Sequence, residues 1–152
     1  LELDIKIDII LETLKEISLS KMRFQKIEKG RNIYINDAYN ASPVSVKYSL
    51  RSFSDIYKEK YKIIVLGDML ELGVDSKKMH EDLYNDIQKV DYNQLYLYGN
   101  EMKNLYNKFE NKDKVYYFEN KDEIILKIQN NKEEKVILIK GSRGMKLEEI
   151  IL

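Results

Sequence analysis

Three short segments hold most of the side chains in this chain that could do chemistry. In Asn36-Asp37-Ala38-Tyr39-Asn40-Ala41-Ser42-Pro43, Asp37 can accept from sugar hydroxyls, Tyr39 can stack on a base, and Asn36 and Asn40 can donate and accept. The same residue types also hold turns and cap helices, and on residue types alone loop architecture is the favoured reading. In Gly67-Asp68-Met69-Leu70-Glu71-Leu72-Gly73, apolar Met69, Leu70 and Leu72 stand between glycines and beside Asp68 and Glu71. Such a loop could line a pocket, pack on a partner, or form a short helical turn over the core. In Lys140-Gly141-Ser142-Arg143-Gly144, Arg143 can grip a carboxylate or phosphate with two parallel hydrogen bonds, and Ser142 can donate beside it. A solvated surface loop would have the same composition. His80 is the single histidine, following an apolar Met79; a lone histidine is ordinarily a partly exposed structural residue.

The elements that must position these clusters follow from hydrophobic spacing. Leu3, Ile7, Ile10, Leu14 and Ile17 recur at steps of four and three, predicting a leading helix that fades into a linker at Ser18-Leu19-Ser20. Met22 to Glu28 and Ile33 to Ile35, around Lys29-Gly30-Arg31-Asn32, predict a hairpin. Ser42-Pro43 is a helix start, with Val46, Leu50, Phe53 and Tyr57 on one face. Lys62 to Leu66 is a continuous apolar run, as in a strand covered on both faces. A helix with Met79, Leu83, Ile87 and Val90 inward follows. Then come a strand at Leu95–Tyr98 stopped by Gly99, a short helix at Met102–Phe109, and a strand at Val115–Phe118. Asn120 and Glu123 have the spacing of a capping box ahead of Ile124, Ile125 and Ile128. A last strand at Val136–Ile139 precedes a final short helix over residues 145–152.

Strands alternating with helix-sized segments predict an α/β fold, a Rossmann-like three-layer sandwich whose sheet is mostly parallel with an N-terminal antiparallel hairpin. Ligands of such sheets bind beyond the carboxyl ends of the strands. The three polar clusters are therefore expected to converge on one rim.

Composition narrows the functions. Twenty-six basic residues balance twenty-six acidic ones, so nothing supports a nucleic-acid partner, which draws on a basic excess. There is no Cys and one His, which excludes thiolate zinc sites, cysteine nucleophiles and multi-histidine metal sites. No apolar run approaches the ~20 residues of a membrane span, and no signal peptide opens the chain, so no membrane association is expected and a cytoplasmic location is. No GxxxxGK[ST] or GxGxxG segment supplies a phosphate cradle, which argues against an independent ATPase. The start at Leu1, without Met, reads as a cut within something longer.

Taken together, NDAYNASP at 36–43, VLGDMLELG at 65–73 with His80 beyond it, and KGSRGM at 140–145 resemble the C-terminal domain of the Mur ligase family, in its D-alanyl-D-alanine-adding branch. Lys21-Met22-Arg23 resembles the hinge into that domain, which makes residues 21–152 the domain and residues 1–20 the tail helix and linker of a preceding ATP-binding domain. Ser42 and Val44 stand where the family commonly carries Asn and Asp, leaving fine contacts open. The resemblance implies that ATP, with Mg2+, phosphorylates the terminal carboxylate of UDP-MurNAc-tripeptide. The amine of D-alanyl-D-alanine then attacks the acyl phosphate. It also implies that the phosphate cradle, the metal ligands and the UDP pocket lie in upstream domains. On that basis this chain alone would be inactive, with no catalytic residue, no metal ligand and no tightly held ATP. Also by resemblance, Arg23 would reach the ATP phosphates and Asp37 the ribose, with Asn36, Tyr39 and Asn40 shaping the nucleotide side. Asp68, Met69, Leu70, Glu71, Leu72, His80, Lys140, Ser142 and Arg143 would border the dipeptide. Competing readings are another Mur-type amide ligase, of the folylpolyglutamate or cyanophycin type, and a non-catalytic α/β binding module.

Overall fold

A computed structural model describes residues 7–9, 12 and 21–151. Residues 7–9 and 12 are helical. The rest of the expected leading helix, and the linker at 18–20, lie outside the described residues.

The hairpin consists of β1 (Gln25–Lys29) and β2 (Asn32–Asp37). Its first strand begins at Gln25 rather than at Met22 because Met22 (φ 64°) and Phe24 (φ 53°) are both left-handed, a conformation that cannot continue a strand. Ser42 caps α1 (Pro43–Ile56): its hydroxyl accepts from Ser45 N–H, the Ser45 hydroxyl accepts from Ser42 N–H, and Pro43 sits in the first turn, where its missing N–H costs nothing. The chain continues through β3 (Tyr61–Gly67), α2 (Ser76–Ile87), β4 (Gln94–Tyr98), α3 (Asn100–Lys108), β5 (Val115–Phe118), α4 (Lys121–Asn130) and β6 (Lys135–Lys140). Asn120 caps α4 by accepting from Glu123 N–H; the two side chains also bond each other at 3.0 Å. Beyond β6 the backbone makes 3₁₀ turns at Arg143–Met145 and Leu147–Ile150 in place of the expected helix.

The sheet order is β1-β2-β6-β3-β4-β5, antiparallel only between β1 and β2. Along β3 the side chains alternate between two cores. Ile64 and Leu66 pack with Leu50, Phe53, Leu83 and Leu105 from α1, α2 and α3, while Ile63 and Val65 pack with Ile124 and Ile128 of α4 and with Leu147. Both faces are covered, which is why this strand reads as an unbroken apolar run. Fully burying a side chain such as Leu50 contributes about 1.5–3 kcal/mol. The three-layer α/β architecture with its hairpin is the one expected. Because β2, β6, β3, β4 and β5 run the same way, their carboxyl ends share one rim, and the segments that follow them must be neighbours.

Candidate functional site

β6 lies between β2 and β3, so the segment leaving it at Lys140 is flanked by the exits of both. Lys140 is almost wholly buried, and its Nζ pairs with Asp37 Oδ2 at 3.0 Å and donates to the carbonyls of Asp37 (3.3 Å) and Asn40 (2.6 Å). Asp37 is thereby fixed from three directions, since it also accepts from Phe24 N–H at 3.0 Å and from the Ser49 hydroxyl of α1. Two residues on, Ser142 N–H donates to the Asp68 carbonyl (3.1 Å) and Ser142 Oγ accepts from Leu70 N–H (2.8 Å). The expected convergence of the three clusters is what the structure shows.

Two of the clefts among the described residues bring the expected clusters together on this rim. The first, about 290 Å³, is lined by Arg23, Asp37, Tyr39, Asn40, Ser42, Ser45 and Lys140. The Arg23 guanidinium lies over the Tyr39 ring, 4.3 Å from its centroid, and Tyr39 is about half exposed, leaving an aromatic surface with a fixed positive charge beside the Asp37 carboxylate. Asn36 is buried, and its Oδ1 accepts from Ala38 N–H; Asn40 Oδ1 accepts from Ala41 N–H. Both amides therefore serve loop architecture, and Asn40 in addition faces the cleft.

The second cleft, about 550 Å³, lies over the ends of β3, β4 and β5 and is lined by Asp68, Leu70, Tyr98, Gly99, Asn100, Lys103, Tyr117, Glu119 and Met145. Asp68 is buried and accepts from the backbone N–H of Met102 (2.9 Å) and Glu101 (3.2 Å) at the start of α3, where a carboxylate is favoured. Lys103 Nζ is 4.0 Å from Glu119 and 5.4 Å from the Tyr117 ring centroid. Burial first, then the nearby charges of Glu119 and Asp68 and the Tyr98 phenol, push the Tyr117 phenol above its ordinary value.

The residues expected to border the dipeptide do not all lie together in the structure. Lys140 stands among Asp37 and Asn40, beside the first cleft. Met69 is buried and donates its N–H to His80 Nε2 at 2.9 Å, while Leu70 and Glu71 are exposed, Glu71 with φ 68°. Leu72 is half-buried, at the start of a 3₁₀ turn over Gly73–Asp75. The lone histidine is not partly exposed: His80 is fully buried, and its Nδ1 lies 2.7 Å from the Ser76 carbonyl, which makes it the donor there and leaves Nε2 as the acceptor. The inward step of α2 is therefore His80, with Met79 only half-buried, because the loop ahead of α2 needs an acceptor beneath it. Arg143 is more than half exposed, pairs with Glu148, and is not among the residues lining either cleft.

Tyr98, Gly99, Asn100, Lys103, Tyr117 and Glu119 join the second cleft without belonging to any of the three clusters, and Met145, the end of KGSRGM, joins it too. A signal for them is present in Leu95-Tyr-Leu-Tyr-Gly-Asn100, a strand ending in Gly at the same rim, although Gly99 by itself marks only the end of a strand. Among the described residues no group of three or more His, Cys, Asp or Glu is arranged to hold a metal ion.

Residues 22–143 match the family model described as Mur ligase, glutamate ligase domain. The chain is similar to the UDP-N-acetylmuramoyl-tripeptide–D-alanyl-D-alanine ligase of Rickettsia prowazekii, 37% identical over 146 residues, covering 95% of this chain and 32% of that protein. Its fold is similar to the crystal structure of MurF from Acinetobacter baumannii, with TM-score 0.85 at 24% identity over 97% of this chain and 32% of that one. It is also similar to MurF ligase from Thermotoga maritima in complex with ADP, with TM-score 0.74 at 23% identity over 94% of this chain and 34% of that one. The chain thus spans about a third of the length of the relatives it matches.

Proposed function

The chain belongs to the Mur ligase family, and from that premise we propose that it is the C-terminal lobe of the enzyme that joins D-alanyl-D-alanine to UDP-N-acetylmuramoyl-tripeptide at the expense of ATP. The observation that carries the proposal is the pair of adjacent clefts, one suited to a nucleoside and one to a small zwitterion, on a single rim. The identity to the Rickettsia ligase, spread over 95% of the chain, favours this branch over folylpolyglutamate- or cyanophycin-type ligases and over a non-catalytic module.

On this reading the first cleft takes the nucleoside end of ATP. Tyr39 offers its ring to the base, Asp37 accepts from ribose hydroxyls, and Arg23 lies toward the phosphates. Magnesium and the phosphate cradle belong to upstream domains. The second cleft takes D-alanyl-D-alanine. Lys103 is a cation for its carboxylate, Tyr117 is a hydrogen-bond donor, and exposed Leu70 gives an apolar wall. A carboxylate is a poor electrophile until one oxygen becomes a good leaving group; ATP supplies the phosphoryl group that makes it one. What this lobe contributes is the placing of the amine beside the activated carbonyl and the exclusion of water when the lobe closes. A cytoplasmic setting is part of the proposal, since ATP is the phosphoryl donor.

The test is phosphate release by the full-length protein. It should require ATP, UDP-N-acetylmuramoyl-tripeptide and D-alanyl-D-alanine together, and a single amino acid in place of the dipeptide should not suffice. Turnover with glutamate on a folate or on a different Mur precursor, and none with the dipeptide, would overturn the assignment.

A further inference from the structure

The segment leaving β6 touches both clefts but makes its contacts almost entirely with backbone. Lys140 Nζ has three N–H donors and three acceptors within reach: the carbonyls of Asp37 and Asn40 and the Asp37 carboxylate. At 3% exposure and with its donors matched, it has no free valence for a ligand. Ser142 is 4% exposed; its hydroxyl accepts from Leu70 N–H while its own N–H donates to the Asp68 carbonyl. Lys140 thus clamps the loop that presents Tyr39 and Asn40 to the first cleft, and Ser142 clamps the loop that presents Leu70 to the second. Only Gly141 separates them in the chain.

We propose that Lys140 and Ser142 are positioning residues with opposite allegiance: Lys140 preorganises the nucleotide cleft, Ser142 preorganises the dipeptide cleft, and neither is a ligand contact. This rests on the function proposed above. The physical reason for the split is that each side chain ties down a different loop, and a ligand then meets a surface already in its bound shape, avoiding the cost of ordering it. Because the two ties are separated only by Gly141 at the end of β6, loosening both is expected to produce more than the sum of the two effects.

The experiment is steady-state kinetics on the full-length enzyme, varying ATP and dipeptide separately. Lys140→Met is expected to raise the KM for ATP about tenfold while the KM for dipeptide stays within about twofold. Ser142→Ala removes only the hydroxyl, keeps the N–H bond to Asp68, and is expected to raise the KM for dipeptide about fivefold with the KM for ATP within about twofold. Should Lys140→Met not fold, Lys140→Gln retains two donors and is read in its place. A merely structural role would lower the melting temperature without this crossover. Variants that raise both KM values together, or neither, overturn the inference while leaving the proposed function intact. A wild-type enzyme that does not use the dipeptide overturns the proposed function and this inference with it.

Discussion

Gly99 joins β4 to α3 in a conformation (φ 118°, ψ 163°) that residues with a side chain rarely adopt. A Cβ there would lie 2.4 Å from Asp68 Cγ and Oδ1 and 2.5 Å from Oδ2, inside any tolerable contact. Gly99→Ala must therefore strain the backbone, at about 1–3 kcal/mol, and also displace the Asp68 carboxylate from the start of α3. Losing one charge-assisted hydrogen bond there, to Met102 N–H or Glu101 N–H, costs about 1.5–3 kcal/mol more. The sum is about 2.5–6 kcal/mol, a large part of the ~5–15 kcal/mol that holds a domain folded, and corresponds to a fall of roughly 5–25 °C in melting temperature. Gly30→Ala is the internal control. Gly30 also has a positive φ of 60°, but nothing lies within 4 Å of a Cβ there, so only strain, about 1–2 kcal/mol, is at stake. Thermal unfolding followed by circular dichroism, with denaturant titration for the free energies, compares the two. If Gly99→Ala lost no more stability than Gly30→Ala, the contact with Asp68 would not be what requires glycine at the second cleft.

Asp37→Asn in the full-length enzyme is expected to raise the KM for ATP about tenfold and leave the KM for dipeptide within about twofold, since it weakens an acceptor of the first cleft and Asp37 does not line the second; equal effects on both substrates in initial-rate kinetics would remove Asp37 from the nucleotide side. Lys103→Ala should raise the KM for dipeptide about tenfold or more, whereas Arg143→Ala, which breaks a surface pair with Glu148 outside both clefts, should change it by less than about threefold. The reverse order would restore Arg143 as the carboxylate partner. His80→Leu should cost about 2–3 kcal/mol in denaturant unfolding, because the buried Met69 N–H is left without its acceptor; a loss below about 0.5 kcal/mol would show that water or another group replaces the imidazole.

Much of the architecture follows from local pattern. The unbroken run Lys62–Leu66 implies a strand covered on both faces, and the Ser42-Pro43 start implies the helix that follows, because hydrophobic period and capping chemistry act over a few residues. The same locality explains why Asp37, Leu70 and Ser142 can be placed on one rim from the sequence: parallel strands leave the chain no other end at which to put them. What locality cannot supply is which long-range partner a polar side chain takes. The family resemblance would put Lys140 at the border of the dipeptide; it is a buried clamp because β6 is inserted between β2 and β3, which brings it against Asp37 and Asn40, a hundred or more residues earlier in the chain. Arg143 has the chemistry to grip a carboxylate, yet Glu148 reaches it first. His80 belongs inside because Met69 N–H needs an acceptor, a demand created by the fold rather than by the residues beside His80. The second cleft is hidden from the sequence for the same reason: Asp68, Lys103 and Tyr117 come from three separate strand–helix junctions, and only the pairing of β3 with β4 and of β4 with β5 makes them neighbours.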